Sequence, residues 1–552
     1  MSTPRLSGSL LRIARALIQR EPFKSIASRR LRATYGMEEL FELPAEAREF
    51  FDAEPRPIVG DSNHRWEHAG HEPPRGDGTR VLQRAYQTGE VDPVDIVRQL
   101  RARVDERDFG VTRHSPFVIA DWTGAEEAAE ASRKRWADGE PKSPLDGMPV
   151  PIKDHHRQKG LPTSCGTPYF QDYTGPAEVD SEVVGRLREA GALLVGKTHT
   201  TEWGLQPTGF NAHFPMPRNA YSRNHAAGGS STGTATAIAT GMAPVGLGSD
   251  GGGSIRIPAA LNGLFGIKPT YQRLSRQGDY WKQGTVSHNG PLGRSTADLV
   301  DFLSVTGAKP DSNDNATQLA PEGDPTEGWK RALGRGVDGA QIGLWNWAFD
   351  VAKPEIAEPC RQAARELENA GAELVDVEIP WSGYHQAIGT LTIGIEAVGL
   401  LHEVFEQLGE QTGDDVRLML TGLSTVTAGE YMLARRTRAT LRRTLARTFE
   451  DVDLILAPTT NMTAPHFPAV DDGRAIFDED AIRELCRFTF MGNITGVPTG
   501  TAPVGMVDDL PVGLQIIGDA WDEASVFAAM AQMERMGITD LPEPPGPGPA
   551  WA

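Results

Sequence analysis

Sulfur and positive charge are both scarce in this sequence, and no apolar run in it is long. Of 552 residues only three are cysteine: Cys165, Cys360 and Cys486. An odd, sparse set in a chain of this length gives no disulfide framework. It points to a reducing compartment, so a cytoplasmic protein is the expectation. No stretch approaches the roughly eighteen consecutive apolar residues of a membrane-spanning helix. Lysine and arginine number 55 against 74 acids, a formal charge of −19. That balance argues against nucleic acid as a partner and favours solubility. No internal repeat recurs along the chain.

What the chain has instead is glycine set beside serine. The run from Gly228 to Thr270 reads GGSSTGTATAIATGMAPVGLGSDGGGSIRIPAALNGLFGIKPT. Ser230 and Ser254 each follow a pair of glycines. Glycine adopts angles closed to other residues and lets a ligand approach the main chain. In SDGGGS the amides of Gly251, Gly252, Gly253 and Ser254 can converge on one point. Convergent amides stabilise the oxyanion formed when a carbonyl is attacked, and losing one donor costs about 2.7–4 kcal/mol of barrier. A lone GGGS turn is usually only a surface turn; its neighbours make this one a candidate site. Upstream, PVPIKD sets Lys153 at the end of an apolar, strand-like run. Burial lowers a lysine by roughly 3–5 units from ~10.4 and turns it into a base. Asp154 complicates this: paired with the ammonium it would hold the proton on, whereas strand alternation points it to the other face. The residues read as a serine hydrolase with lysine in place of histidine.

Three segments, IKD, GGSSTG and GSDGGGSIRIP, resemble the amidase signature family. The resemblance runs over about residues 85 to 540 and takes in GPLGRSTAD at Gly290–Asp298, VDLILAPT at Val452–Thr459 and an N-x-x-G-x-P at Asn493–Pro498. It implies that Ser254 is the acylated nucleophile and Ser230 a bridging serine after a cis Gly229–Ser230 bond. It makes Lys153 the terminal base and gives the oxyanion hole to Gly251, Gly252 and Gly253. Asp250 and Arg256, with Ser231, are expected to hold the site in shape. Thr232, His199 and Ser249 depart from the family pattern without removing a catalytic group, and His199 is expected to be structural.

Two rival motifs overlap the site. GLGSDG at Gly246–Gly251 matches a dinucleotide fingerprint, but SIRIPA and Lys268–Pro269 follow where a helix and an acid are needed. GSSTG at Gly229–Gly233 matches a nucleophile elbow with Ser231 as nucleophile. A helix follows it, but AYSRNHAA rather than an apolar strand precedes it. His64, His68 and His71 are spaced as metal ligands could be, yet Gly70 and Pro73–Pro74 argue for a solvated loop. No metal and no cofactor are expected.

Residues 1 to 34 carry eight lysines and arginines and one glutamate, against the acidic whole. Leu6, Leu10, Ile13, Leu17 and Ile18 keep close to helical spacing. Ser7, Arg12 and Arg15 interrupt any apolar core, so a cleaved signal peptide is not expected. A basic amphipathic helix packs on its own body, pairs with a second subunit in a homodimer, or lies on an anionic membrane surface. Packing on the body is the expectation. Downstream, Ile356–Pro380 reads as helix then strand, Gly429–Phe449 as a long basic helix, and ITGVPTGTAPVG as a loop feeding a core strand. In the family the segment from about Ile388 through that long helix walls the substrate pocket.

Fold and function follow as expectations. The resemblance implies one α/β/α domain on a mixed sheet over residues 81–540, and an N-terminal helical extension is expected over 1–80. A proline-rich, disordered tail is expected over 541–552. The resemblance implies hydrolysis of a carboxamide, aryl amide or carbamate, with side activity on esters. The glutaminase-type subunit of a tRNA-dependent amidotransferase and a non-catalytic binding protein are the alternatives. Free glutamine is not expected as substrate. Counting back from Asn493, Cys486 stands where glutamine-using members place an aspartate, Arg487 beside it would repel an ammonium, and Glu484 is near enough to argue the other way.

Overall fold

The computed structural model describes residues 5–551 apart from 19, 21–22, 38, 49–56, 61–65, 67–69, 75, 77, 108, 281–283 and 468–474. Eleven strands form one mixed sheet. In chain order they are β2 (Phe117–Ala120), β3 (Ile152–Lys153), β4 (Gly196–Thr198), β5 (Val245–Asp250), β6 (Phe265–Lys268) and β7 (His288–Gly293). They continue with β8 (Gln341–Trp345), β9 (Glu373–Val377), β10 (Leu454–Pro458), β12 (Thr499–Val507) and β13 (Leu510–Gly518). The spatial order is β2-β4-β3-β5-β7-β6-β12-β13-β10-β8-β9. A separate two-stranded ribbon joins β1 (Leu6–Ser7) to β11 (Ile476–Phe477).

The central strands are buried along their whole length, as in β5, β10 and β13. Strands covered by helices on both faces need apolar residues on both sides, which is why LILAP and LPVGLQIIG show no alternation. The expected α/β/α layering on a mixed sheet is what forms. β3 runs parallel to β5, with Ile152 opposite Leu247. Their carboxyl ends therefore lie at one edge of the sheet, where open α/β folds place ligands.

Helix Pro354–Asn369 followed by β9, and helix Ala428–Asp451, take the forms expected from sequence. The long basic helix packs behind helix His385–Leu400. Only the latter lines the cavity that opens onto Ser254, so the wall is shorter than the resemblance implied. The N-terminus folds as two helices, α1 (Gly8–Ile18) and α2 (Phe23–Thr34), where the spacing showed one. Both pack on the body against helix Asp414–Leu423. The proline-rich tail is packed rather than disordered. Ala550 donates its N–H to the Gly241 carbonyl, the Gly548 carbonyl accepts from Arg103, and Glu543 pairs with Arg294. Among the described residues no single helix is long and apolar enough to cross a membrane. His71 hydrogen-bonds Gly334 through its backbone, and His64 and His68 lie outside the described residues.

Candidate active site

β3 ends on Lys153, which has no exposed surface. Its Nζ lies 2.7 Å from Ser230 Oγ and 3.2 Å from the Ser249 carbonyl. Burial brings its pKa down to about 7, against a smaller upward pull from Asp250. The adjacent Asp154 takes no part in this. It begins the turn after β3 and is engaged elsewhere: Lys197 Nζ meets Asp154 Oδ1 at 2.6 Å and the Ser164 amide and hydroxyl donate to Oδ2. The carboxylate beside the lysine is already neutralised, and Lys153 can shed its proton.

Ser230 follows a cis peptide bond from Gly229, as the resemblance implied. It stands at the opening of helix Thr232–Ala239 and is buried. Ser231 donates its hydroxyl to the Ser254 carbonyl at 2.6 Å. Fully buried and bound to main chain, it ties the two serine turns together, and no strand precedes it to make an elbow. Thr232 donates back to the Gly228 carbonyl at 2.8 Å, so the bulkier residue closes the turn instead of opening it.

At the end of β5 the chain turns through Gly251–Gly253 into Ser254 and helix Arg256–Leu261. Gly253 has φ +125°, a region that favours glycine. A side chain on Gly252 would come within 2.7 Å of the Phe490 ring. The Gly253 N–H donates to Asp250 Oδ1 at 2.7 Å. Its place in the expected oxyanion hole is therefore corrected: this amide holds the turn. The N–H groups of Gly251, Gly252 and Ser254 find no protein acceptor among the described residues. Gly252 and Ser254 face the cavity.

Asp250 and Arg256 are both fully buried. Arg256 grips the carboxylate through Nε and Nη2, each at 3.0 Å. Its remaining donors go to the Thr489 carbonyl, Gln515 Oε1 and Asn493 Oδ1. Asn493 returns two hydrogen bonds to Asp250. Burial alone would raise the Asp250 pKa, but the charge and hydrogen bonds of Arg256 with those of Asn493 hold it well below the usual range. The pair braces the glycine turn, where the amides of Gly253 and Ile255 both donate to Asp250. Asn493, Gln515, Thr489 and Lys197 were not assigned roles from sequence; only Asn493 carried a signal, in its N-x-x-G-x-P motif. His199 is buried against Phe214 and held neutral by burial, with its pKa lowered to about 4. It is not part of the cavity wall.

The cavity above Ser254 has a volume of about 380 Å³ and is mostly apolar. Ile393, Met419, Leu423, Ile482 and Phe490 contribute to its body side. Cys486 faces it as a neutral thiol, its pKa pushed up to about 12 by burial. Glu484 is turned away, bound to Asn461 and Arg483. Arg487 lies over the Trp347 ring and outside the cavity, so it does not repel a ligand there. The carboxylate on the wall is Glu479, paired with Arg30 at 3.1 Å.

Residues 101–527 match the Amidase family. The chain is 31% identical to a fatty acid amide hydrolase of Medicago truncatula over 466 residues, 82% of this chain and 75% of that protein. It is 33% identical to a glutamyl-tRNA(Gln) amidotransferase subunit from Roseiflexus castenholzii, over 82% of this chain and 94% of that one. Among solved structures it superposes on a bacterial aryl acylamidase with a TM-score of 0.74 at 26% identity, covering 84% and 97% of the two chains. A peptide amidase from Stenotrophomonas maltophilia aligns with a TM-score of 0.68 at 26% identity, over 85% and 98%. A mixed α/β/α sheet, a buried lysine on a buried serine, and a match across most of the chain agree: this protein belongs to the amidase signature family, hydrolases that cleave carbon–nitrogen bonds.

Proposed function

We propose that this enzyme hydrolyses uncharged carboxamides bearing an apolar acyl or aryl group, through an acyl-enzyme on Ser254. Neutral Lys153 takes the proton of Ser230 as Ser230 takes that of Ser254, and Ser254 Oγ bonds to the substrate carbonyl carbon. The developing oxyanion is held by the free amides of Gly251, Gly252 and Ser254. The carbon–nitrogen bond then breaks, and the proton returns through Ser230 to the leaving amine. Water, deprotonated by the same relay, attacks the ester on Ser254 and releases the acid. Aryl carbamates and esters fit the same steps.

The observation that carries this reading is the apolar cavity opening onto Gly252 and Ser254. A zwitterion such as glutamine needs a free carboxylate for its ammonium, and an unpaired charge in a closed pocket is strongly disfavoured. Glu479 is already paired with Arg30, and Cys486 is neutral. The test is parallel incubation with glutamine, an acyl nitroanilide and an aryl carbamate. Aniline or phenol release is expected to exceed glutamate release. Faster glutamate release would instead favour a role within an amidotransferase, the activity named for the Roseiflexus relative.

A further inference from the structure

The N-terminal helices are walls of the same cavity. Leu17 and Ile18 of α1 and Phe23, Ile26 and Leu31 of α2 line it together with Gly252 and Ser254. These helices have little core of their own. In α1 only Leu11 and Ile18 are buried, and in α2 only Ser28. Leu10 and Ile26 remain 65% and 55% exposed. Charge holds the pair in place. Arg5 faces Asp478 at 3.5 Å, Arg15 meets Asp414 at 2.6 Å, Arg30 meets Glu479 at 3.1 Å and Arg32 meets Glu430 at 2.6 Å. Every carboxylate in that set belongs to the acidic body, and the β1–β11 pairing of Leu6 with Phe477 adds a backbone tie. This basic bias of residues 1–34 is thereby put to use through four of its eight lysines and arginines. It pins two otherwise weakly packed helices against the cavity that Gly252 and Ser254 also line.

We propose that α1 and α2 form the outer wall of the site for the substrate's apolar chain, and that Leu17 and Ile26 set the preference for amides of long aliphatic acids. This rests on the catalytic reading above. A short acyl group on Ser254 ends against Phe490 and Ile393. An extended one continues to the underside of α1 and α2, where each buried methylene adds to binding.

The test uses the full chain and two probes that need no amide turnover, a methyl and a decyl fluorophosphonate, with the adduct mapped by mass spectrometry. Wild-type protein should label at Ser254 faster with the decyl probe. Leu17→Asp combined with Ile26→Asp should cut decyl labelling about tenfold or more while methyl labelling stays within about twofold. Arg15→Gln combined with Arg32→Gln, which loosens the wall without touching its lining, should lower decyl labelling in the same sense by a smaller factor. Equal loss for both probes, or a decyl preference that survives both double variants, would overturn the wall. No labelling of Ser254 by either probe would overturn the catalytic reading and this proposal with it.

Discussion

The floor and the outer wall of one cavity use the same kind of bond in opposite settings. Under the glycine turn, Arg256 and Asp250 have no exposed surface, and every donor of the guanidinium is placed. At the outer wall, Arg30 is 55% exposed while its partner Glu479 is 8% exposed. Removing one partner of a buried pair leaves a stranded charge and costs about 3–5 kcal/mol, whereas an exposed pair contributes about 0–1 kcal/mol. The floor is therefore built to hold a few amides still, whereas at Arg30 the wall is held lightly. The proposed chemistry uses the first, and the proposed selection of the acyl chain the second.

The largest effect expected in this contrast is at the nucleophile. Ser254→Ala should lower kcat by roughly 10³-fold or more, because no acyl-enzyme can form. Steady-state hydrolysis of a nitroanilide measures it. Retention of near-wild-type turnover would move the chemistry elsewhere.

Lys153→Met comes next, with kcat expected to fall by about 10²–10⁴. Its effect on stability should have the opposite sign. The native lysine titrates at about 7, well below its unfolded value near ~10.4. Between those values the unfolded chain binds the extra proton, so wild-type stability rises with pH across that window. The cost of burying this lysine is full below about pH 7 and fades as pH rises towards the unfolded value. Lys153→Met should be at least as stable as wild type at neutral pH and lack the rise, as urea midpoints across the window will read.

One substitution made at both ends sharpens the comparison further. Arg256→Gln should destabilise by about 3–5 kcal/mol, and Arg30→Gln by less than about 1 kcal/mol. Denaturant midpoints with unchanged slopes would establish the difference. Similar losses at both positions would break the distinction between floor and wall.

The smallest effect concerns the helix that supports α1. Asp415, in the first turn of helix Asp414–Leu423, is pushed up to about 7, first by burial and then by the charge of Glu202. Gln206 donates to its Oδ2, while His213, itself raised by Glu202 against the lowering effect of burial, pairs with Glu202. A raised native pKa means that stability is full below the unfolded value near ~3.9 and is lost as pH rises through about 7. Asp415→Asn should remove that loss. Hydrogen exchange across Asp414–Leu423, followed from about pH 4 up to about pH 7, should show protection falling in wild type but not in the variant.

The sequence was most legible where the chemistry is local. Ser230, Ser254, Asp250 and Arg256 lie within one short run, and Lys153 ends an apolar strand, so the floor could be assembled from motifs, while the sheet class came with the family resemblance those motifs carry. It was least legible where a role depends on a distant partner. That Lys197 would neutralise Asp154 follows from two strands being adjacent in the sheet. That Gly253 would spend its amide on Asp250 is a matter of turn geometry. The sequence FKSIASRRLRAT has too weak an apolar stripe to announce α2, and nothing local in it points to a cavity whose other lining runs from Gly204 to Phe490. The tail misled for the same reason, since its order comes from Gly241, Arg103 and Arg294.

The central claim is that a neutral, buried lysine drives the Ser254 hydroxyl. The rate of fluorophosphonate labelling at Ser254, mapped by mass spectrometry and followed against pH, tests it most directly. The account predicts a rate that rises with pH and levels off above about 7, with Lys153→Met slow at every pH. A rate independent of pH and unchanged in Lys153→Met, or an adduct on Ser231, would contradict it.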